Sequence, residues 1–245
     1  MNVLMLVLYG IPPGDLFTNE SLVNIRHLKG MGAFGLVEEP DMIINSGDLK
    51  RPEVDTWEAI AESGKSCLWI KPQNEAGLEP SVGEFVKTTW EAGGRDFLSG
   101  EQLKRAGTWM NNRDWGACLV EDHGLRFPGE QEKRSSYLEN LDQNLGKLFE
   151  SIGDETLVAV LIRTEVFLSG FILAAPFAEP VGEVEVVSTG DVAATLMYLC
   201  GLVSGESISE RLILHCRENP NQGDSVLSMD EETILRERLS GLGYL

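Results

Sequence analysis

The sequence predicts an α/β fold, a three-layer sandwich in which helices cover both faces of a mostly parallel central sheet. Three observations carry this expectation. Apolar runs of strand length at 3–8 (VLMLVL) and 156–162 (TLVAVLI) match strands buried on both faces. Stretches with apolar residues at three- and four-residue spacing alternate with such runs along the chain. Ser or Asp followed three residues later by Glu or Gln marks several helix starts.

In chain order, the run 3–8 is too short to cross a bilayer and is cut off by Gly10, Pro12 and Pro13, so it forms a buried strand. The stretch 21–35, SLVNIRHLKGMGAFG, carries Leu22, Val23, Ile25 and Leu28 and ends in glycines, as a short helix does. In DTWEAIAESGK, 55–65, Asp55 and Glu58 make a capping box and Gly64 stands where a helix stops; strand 66–70 follows. Ser81 with Glu84 opens a predicted helix carrying Val82, Phe85, Val86 and Trp90, and Ser99 with Gln102 opens one carrying Leu103, Ala106 and Met110.

The run 115–121, WGACLVE, is a buried strand. Leu138, Leu141, Leu145, Leu148 and Ile152 then line one stripe of a helix closed by Gly153. After strand 156–162, FILAAP and EVEVV continue the sheet or its edge, and TGDVAATLMYLCGL is a helix with Thr189 or Asp191 near its cap. Ser228 with Glu231 opens a last helix. No repeat, linker or composition shift divides the chain, so a single domain over 1–245 is expected.

Twenty Lys and Arg against 39 Asp and Glu give a net charge of -19, spread along the chain, which disfavours nucleic acid and anionic membranes as partners. Four cysteines, at 67, 118, 200 and 216, form no zinc-knuckle or redox spacing. Cys67, Cys118 and Cys200 lie in apolar runs as core residues. No basic residue precedes the N-terminal apolar run and no small-residue cleavage site follows it. A cytoplasmic, reducing setting is the expectation.

Nothing reads G-x-G-x-x-G at a strand-to-helix turn, and phosphate-loop and serine-elbow motifs are absent. Of three histidines, His27 reads as a solvated helix residue and His215 as a strand residue near an edge. The local cluster is Glu121-Asp122-His123, leaving the carboxyl end of strand 115–121, where ligands converge in open parallel sheets. Carboxylate and imidazole suit zinc or manganese, and further ligands would come from Tyr9, Asp15 or Glu165 at other strand ends. Adjacent residues point in different directions, so a polar loop is the competing reading.

Several stretches resemble the alkaline phosphatase superfamily, in particular its type I phosphodiesterase/nucleotide pyrophosphatase branch. VLMLVLYGIPPGDLF is similar to that family's opening strand, which ends in Asp-Gly-x-x-Pro. SGDLKRPEVDTWEAIAESGKSCLWIKP resembles its Trp-Glu-x-Leu helix and following strand, and NRDWGACLVEDHG its strand introduced by Asp-Trp. YLENLDQNLGKLFESIGDETLVAVLI is similar to the Leu-Asp-x-x-hydrophobic-Gly helix that leads into a central strand. GFILAAPFAEPVGEVEVVSTGDVAATLMYLCGL resembles the Ile-Leu-Ala-Gly-Pro … Asp-hydrophobic-Ala-Pro-Thr-Leu passage, and RERLSGLGYL the ending. The resemblance implies an alkaline-phosphatase-like fold.

Active members of the family bind two divalent metals, usually zinc, and use a Thr or Ser nucleophile on phosphoryl or sulfuryl esters. The positions that should supply this chemistry differ. Tyr9 stands where the resemblance places an aspartate ligand, and few residues remain between Gly35 and Asp41 for the nucleophile loop. Aligning Arg126 with the arginine of a Thr-Asp-Arg-x-x-His pattern leaves Leu125 and Gly129 at its ligand places. Arg163-Thr164-Glu165-Val166 replaces Ser-Asp-His-Gly, and the last histidine has no counterpart. A carboxylate buried at position 9 without a cation is costly, whereas a phenol fills space and needs one hydrogen bond.

The expectation is therefore a metal-free, catalytically inactive relative with no cofactor, serving as a binding or scaffold subunit with a protein partner or as a homo-oligomer. The alternative is a metal-dependent phosphoric or sulfuric ester hydrolase whose rebuilt site uses Asp122, His123, Glu165 and Tyr9.

Overall fold

The computed structural model describes residues 1–38, 52–72, 83–88, 98–112, 114–123, 134–153, 155–163, 168–203 and 212–216. In order the elements are β1 (Asn2–Tyr9), α1 (Pro13–Phe17), α2 (Val23–Gly30), β2 (Gly32–Leu36), α3 (Pro52–Glu62), β3 (Cys67–Pro72), β4 (Glu84–Thr88), α4 (Leu98–Asn111), β5 (Ala117–Asp122), α5 (Arg134–Phe149), β6 (Thr156–Arg163), β7 (Leu168–Ala174), β8 (Gly182–Glu183) and α6 (Thr189–Leu199). The strands form one sheet in the order β4-β3-β5-β1-β6-β7-β2-β8. Pairings are parallel except where β7 meets β6 and β2, so β7 alone runs against the others.

The alternation of strand side chains sorts the core into two layers. Val3, Met5, Val7 and Tyr9 pack with Trp57, Val192 and Leu196 of α3 and α6. Leu4, Leu6 and Leu8 pack on the other face with Ile25, Leu103, Leu141 and Leu145 of α2, α4 and α5. β1 lies between two parallel neighbours and is covered on both faces, which is why its sequence shows no alternation. No described helix is long and apolar enough to cross a membrane.

Three local expectations are corrected. Residues 84–88 form an edge strand rather than a helix, paired in parallel with β3; Phe85 and Val86 are adjacent, a spacing that does not choose between the two periods. Ser81, Val82 and Trp90 lie outside the described residues. Asp55 and Glu58 do not cap a helix start, because α3 begins at Pro52, whose fixed φ and missing N–H suit a first turn. The helix expected over 21–35 stops at Gly30, and 32–36 is β2, pairing with β7. Ser228 and Glu231 lie outside the described residues. The cap of α6 is Ser188, whose hydroxyl accepts from the Asp191 N–H while Asp191 accepts from the Ser188 N–H.

The helix α5 carries the Leu141-Asp142-x-x-Leu145-Gly146 pattern, and its carboxylate has a structural task. Asp142, buried, accepts from the backbone N–H groups of Asn24 and Ile25 at 3.2 and 2.8 Å and from the Asn24 amide at 3.1 Å. It caps the first turn of α2 from a residue 118 positions away, in place of a local cap. Gly146 lets Asn24 approach, since a Cβ there would meet Asn24 Nδ2 at 2.8 Å. Asp142→Ala is expected to cost about 2 kcal/mol in denaturant unfolding, and Asp142→Asn about half of that.

All four cysteines are free thiols. Burial pushes the Cys67 thiol up to about 11 and raises that of Cys118 as well. Both should resist iodoacetamide at neutral pH in the native protein and react once it is unfolded. A raised thiol pKa also means that stability holds below 9.0, the unfolded value, and declines as pH rises from there toward 11. Urea unfolding across that range reads the decline.

Candidate functional site

Strands β1, β3, β5 and β6 end at one rim, and the period of two sets which side chains share a face there. Trp69 and Lys71 of β3, Glu121 of β5 with His123 just beyond it, Tyr9 of β1 and Arg163 of β6 stand on the side covered by α3 and α6. Tyr9 and Arg163 are register partners, as are Val7 and Glu121.

Glu121, 2% exposed, is the hub of one group. Its Oε1 accepts from the Trp69 indole N–H at 2.9 Å, and its Oε2 accepts from the Tyr9 hydroxyl at 3.4 Å. His123 Nε2 lies 3.3 Å from the same Oε2, and the imidazole stacks on the Tyr9 ring with centroids 3.9 Å apart at 18°. The second group is an ion pair: Arg163 Nη2 donates to Glu53 Oε2 at 3.1 Å, with side chains 4% and 0% exposed. Glu53 lies in the first turn of α3, where the helix dipole favours a carboxylate. Lys71 is buried too, its Nζ 5.9 Å from the centroid of the Trp69 ring.

Of the residues singled out in the sequence, the structure brings Tyr9 and His123 into contact. Asp122 is buried one position along and pairs with Leu8, so it faces the α2, α4 and α5 layer and does not join His123. Glu165 lies outside the described residues, as do Asp41, Leu125, Arg126, Gly129, Thr164 and Val166. Asp15 is held by Arg134 at 2.8 Å on the opposite layer. His27 is exposed on α2, as expected; His215 is exposed too but lies outside any strand, beside the isolated bridge of Cys216 with Ala178.

Sequence reasoning missed Trp69, Lys71 and Glu53 as members of this rim. One signal was available: Glu121 shares its strand parity with His123, whereas Asp122 does not. Nothing in RPEVD marks Glu53 as the partner of Arg163, 110 residues away.

A pair of divalent ions needs several carboxylate and imidazole donors turned toward one space. Among the described residues no three His, Cys, Asp or Glu side chains are grouped to hold even one ion. Both oxygens of Glu121 accept hydrogen bonds, Glu53 is paired with a guanidinium, and two side-chain cations share the face. Among the described residues, the donor set does not fit a two-metal centre. A separate groove of about 730 Å³ lies between α4 and α5, walled by Lys104, Asn111, Asn140, Asn144 and Lys147 over a floor of Leu103 and Leu148.

No family model and no curated protein matches the sequence. Solved structures do match the fold. A sulfatase-like protein from Bacteroides thetaiotaomicron aligns over 96% of this chain and 74% of its own at 11% identity, with a TM-score of 0.52. A 2-O GAG sulfatase aligns over 82% and 70% at 11% identity and 0.50. A protein from Pyrococcus horikoshii aligns over 81% and 96% at 11% identity and 0.53.

Proposed function

Because this chain has an alkaline-phosphatase-like fold in which described side chains at the carboxyl rim pair with one another, we propose that it is a catalytically inactive relative of sulfatases and phosphodiesterases, retained as a binding or scaffold subunit. The observation that carries this is the occupation of the rim. The Glu121 carboxylate is engaged by Trp69, Tyr9 and His123, and the Glu53 carboxylate by Arg163. A hydrolytic site needs a nucleophile and charge-stabilising groups directed at a substrate rather than at one another.

The proposed partner is a protein, either different or a second copy of this chain, in the reducing cytoplasm; the net charge of -19 disfavours nucleic acid and anionic lipid. Purification from the native host is expected to yield the chain in stoichiometric association with a protein, and Lys104→Glu with Lys147→Glu tests whether the α4–α5 groove takes part. Aryl phosphodiester and aryl sulfate assays, with and without added zinc or manganese, should show no turnover above buffer. Turnover accompanied by near-stoichiometric metal would overturn the reading.

A second reading, a hydrolase with a rebuilt site, is favoured by one observation: Tyr9, Glu121 and His123 converge within hydrogen-bonding reach. It requires that His123→Ala abolish an ester-hydrolysing activity present in the native protein.

A further inference from the structure

The rim holds a buried polar row that the proposed scaffold role leaves unexplained. Across β3, β5, β1 and β6 it contains Lys71, Glu121, His123, Tyr9 and Arg163, with Glu53 reaching in from α3. These include the cations Lys71 and Arg163 and the carboxylates Glu53 and Glu121. Burying such charges is expensive unless each is compensated within the protein. The resemblance places divalent ions at this end of the sheet, and the donors among the described residues do not fit them.

We propose that the guanidinium of Arg163, set against the Glu53 carboxylate, and the ammonium of Lys71 supply positive charge at this rim, where the resemblance places divalent ions. This inference rests on the reading of the rim as a filled, non-catalytic site, and it assigns the two side chains that do the filling. Arg163 is the more tightly placed. Its guanidinium ties the end of β6 to the first turn of α3 and so fixes that helix over the strand ends. Lys71 follows the Ile70–Val120 pair of β3 and β5 and is the register partner of Lys87 in β4.

The test is thermal unfolding of the full chain. The native protein is expected to keep its Tm when treated with EDTA, zinc or manganese. Arg163→Ala should lower Tm by about 10 °C, a size set by the loss of one partner of a buried pair. Millimolar methylguanidinium should return part of that loss and leave the native Tm unchanged, which a purely steric role for Arg163 would not produce. Glu53→Gln combined with Arg163→Gln should recover at least half of the loss, because both charges of the pair are removed together; this variant keeps the test readable if Arg163→Ala does not fold. Lys71→Met should lower Tm, and Lys71→Arg should restore it.

An Arg163→Ala protein as stable as the native one, or one indifferent to methylguanidinium and to removal of Glu53, would overturn the inference and leave the scaffold reading standing. Stabilisation of the native chain by stoichiometric zinc would overturn both.

Discussion

Gly32→Ala is expected to destabilise the protein by about 4 kcal/mol or more, enough to move much of it out of the soluble, folded fraction. Gly32 opens β2 opposite Ala174 of β7, and a Cβ built there would lie 1.8 Å from the Leu173 carbonyl oxygen and 2.9 Å from the Ala174 Cα. These are backbone atoms of a neighbouring strand, so no rotamer change relieves the overlap. β2 would have to withdraw from β7, and Val181, whose N–H donates to the Gly32 carbonyl, would move with it. Gly30, two residues earlier at the end of α2, is the control. A Cβ there meets nothing within 4 Å, and Gly30→Ala should be neutral or stabilise by about 0.5 kcal/mol through helix propensity. Urea denaturation of the two variants reads the contrast, and similar midpoints for both would refute the close approach of β2 to β7.

The second large effect is expected at Glu121. Glu121→Ala removes the acceptor shared by the Trp69 indole and the Tyr9 hydroxyl and leaves a cavity at a rim where Lys71 and Arg163 remain charged. Losing a buried, hydrogen-bonded carboxylate beside cations costs about 3 kcal/mol or more. Glu121→Gln keeps a carbonyl oxygen to accept from Trp69 and should cost about 1 kcal/mol. The readout specific to this site is tryptophan emission: the Trp69 indole loses its carboxylate partner in the alanine variant and keeps an acceptor in the glutamine variant. Equal stability of the two variants would show that the carboxylate is not the hub of the rim.

Much of the architecture was legible because it follows from short-range pattern. The runs 3–8 and 156–162 and most of 115–121 are central strands, and the stripe from Leu138 to Leu148 is the buried face of α5, which ends before Ile152. The error at 84–88 has a plain cause: on an edge, with few residues, apolar spacing is too short to separate a period of 3.6 from one of 2. Similarly, β2 is only five residues long and contains two glycines, so it read as the tail of a helix.

Two residues that support the family resemblance, Asp142 and Asp191, prove to be helix caps. Their place in the pattern therefore follows from the fold, whatever chemistry the rim carries. A cap is required by the fold itself, whereas a ligand is required only when there is a metal to hold.

By itself the sequence determined the α/β class with helices on both faces of a mostly parallel sheet and the alternation of strands and helices. Both depend on residue type and on spacing within a few positions. Tertiary structure alone decided that Arg163 meets Glu53 and that Glu121, rather than Asp122, joins Tyr9 and His123. Strand order and register bring together groups about a hundred residues apart, and a one-residue step along a strand turns a side chain to the opposite face.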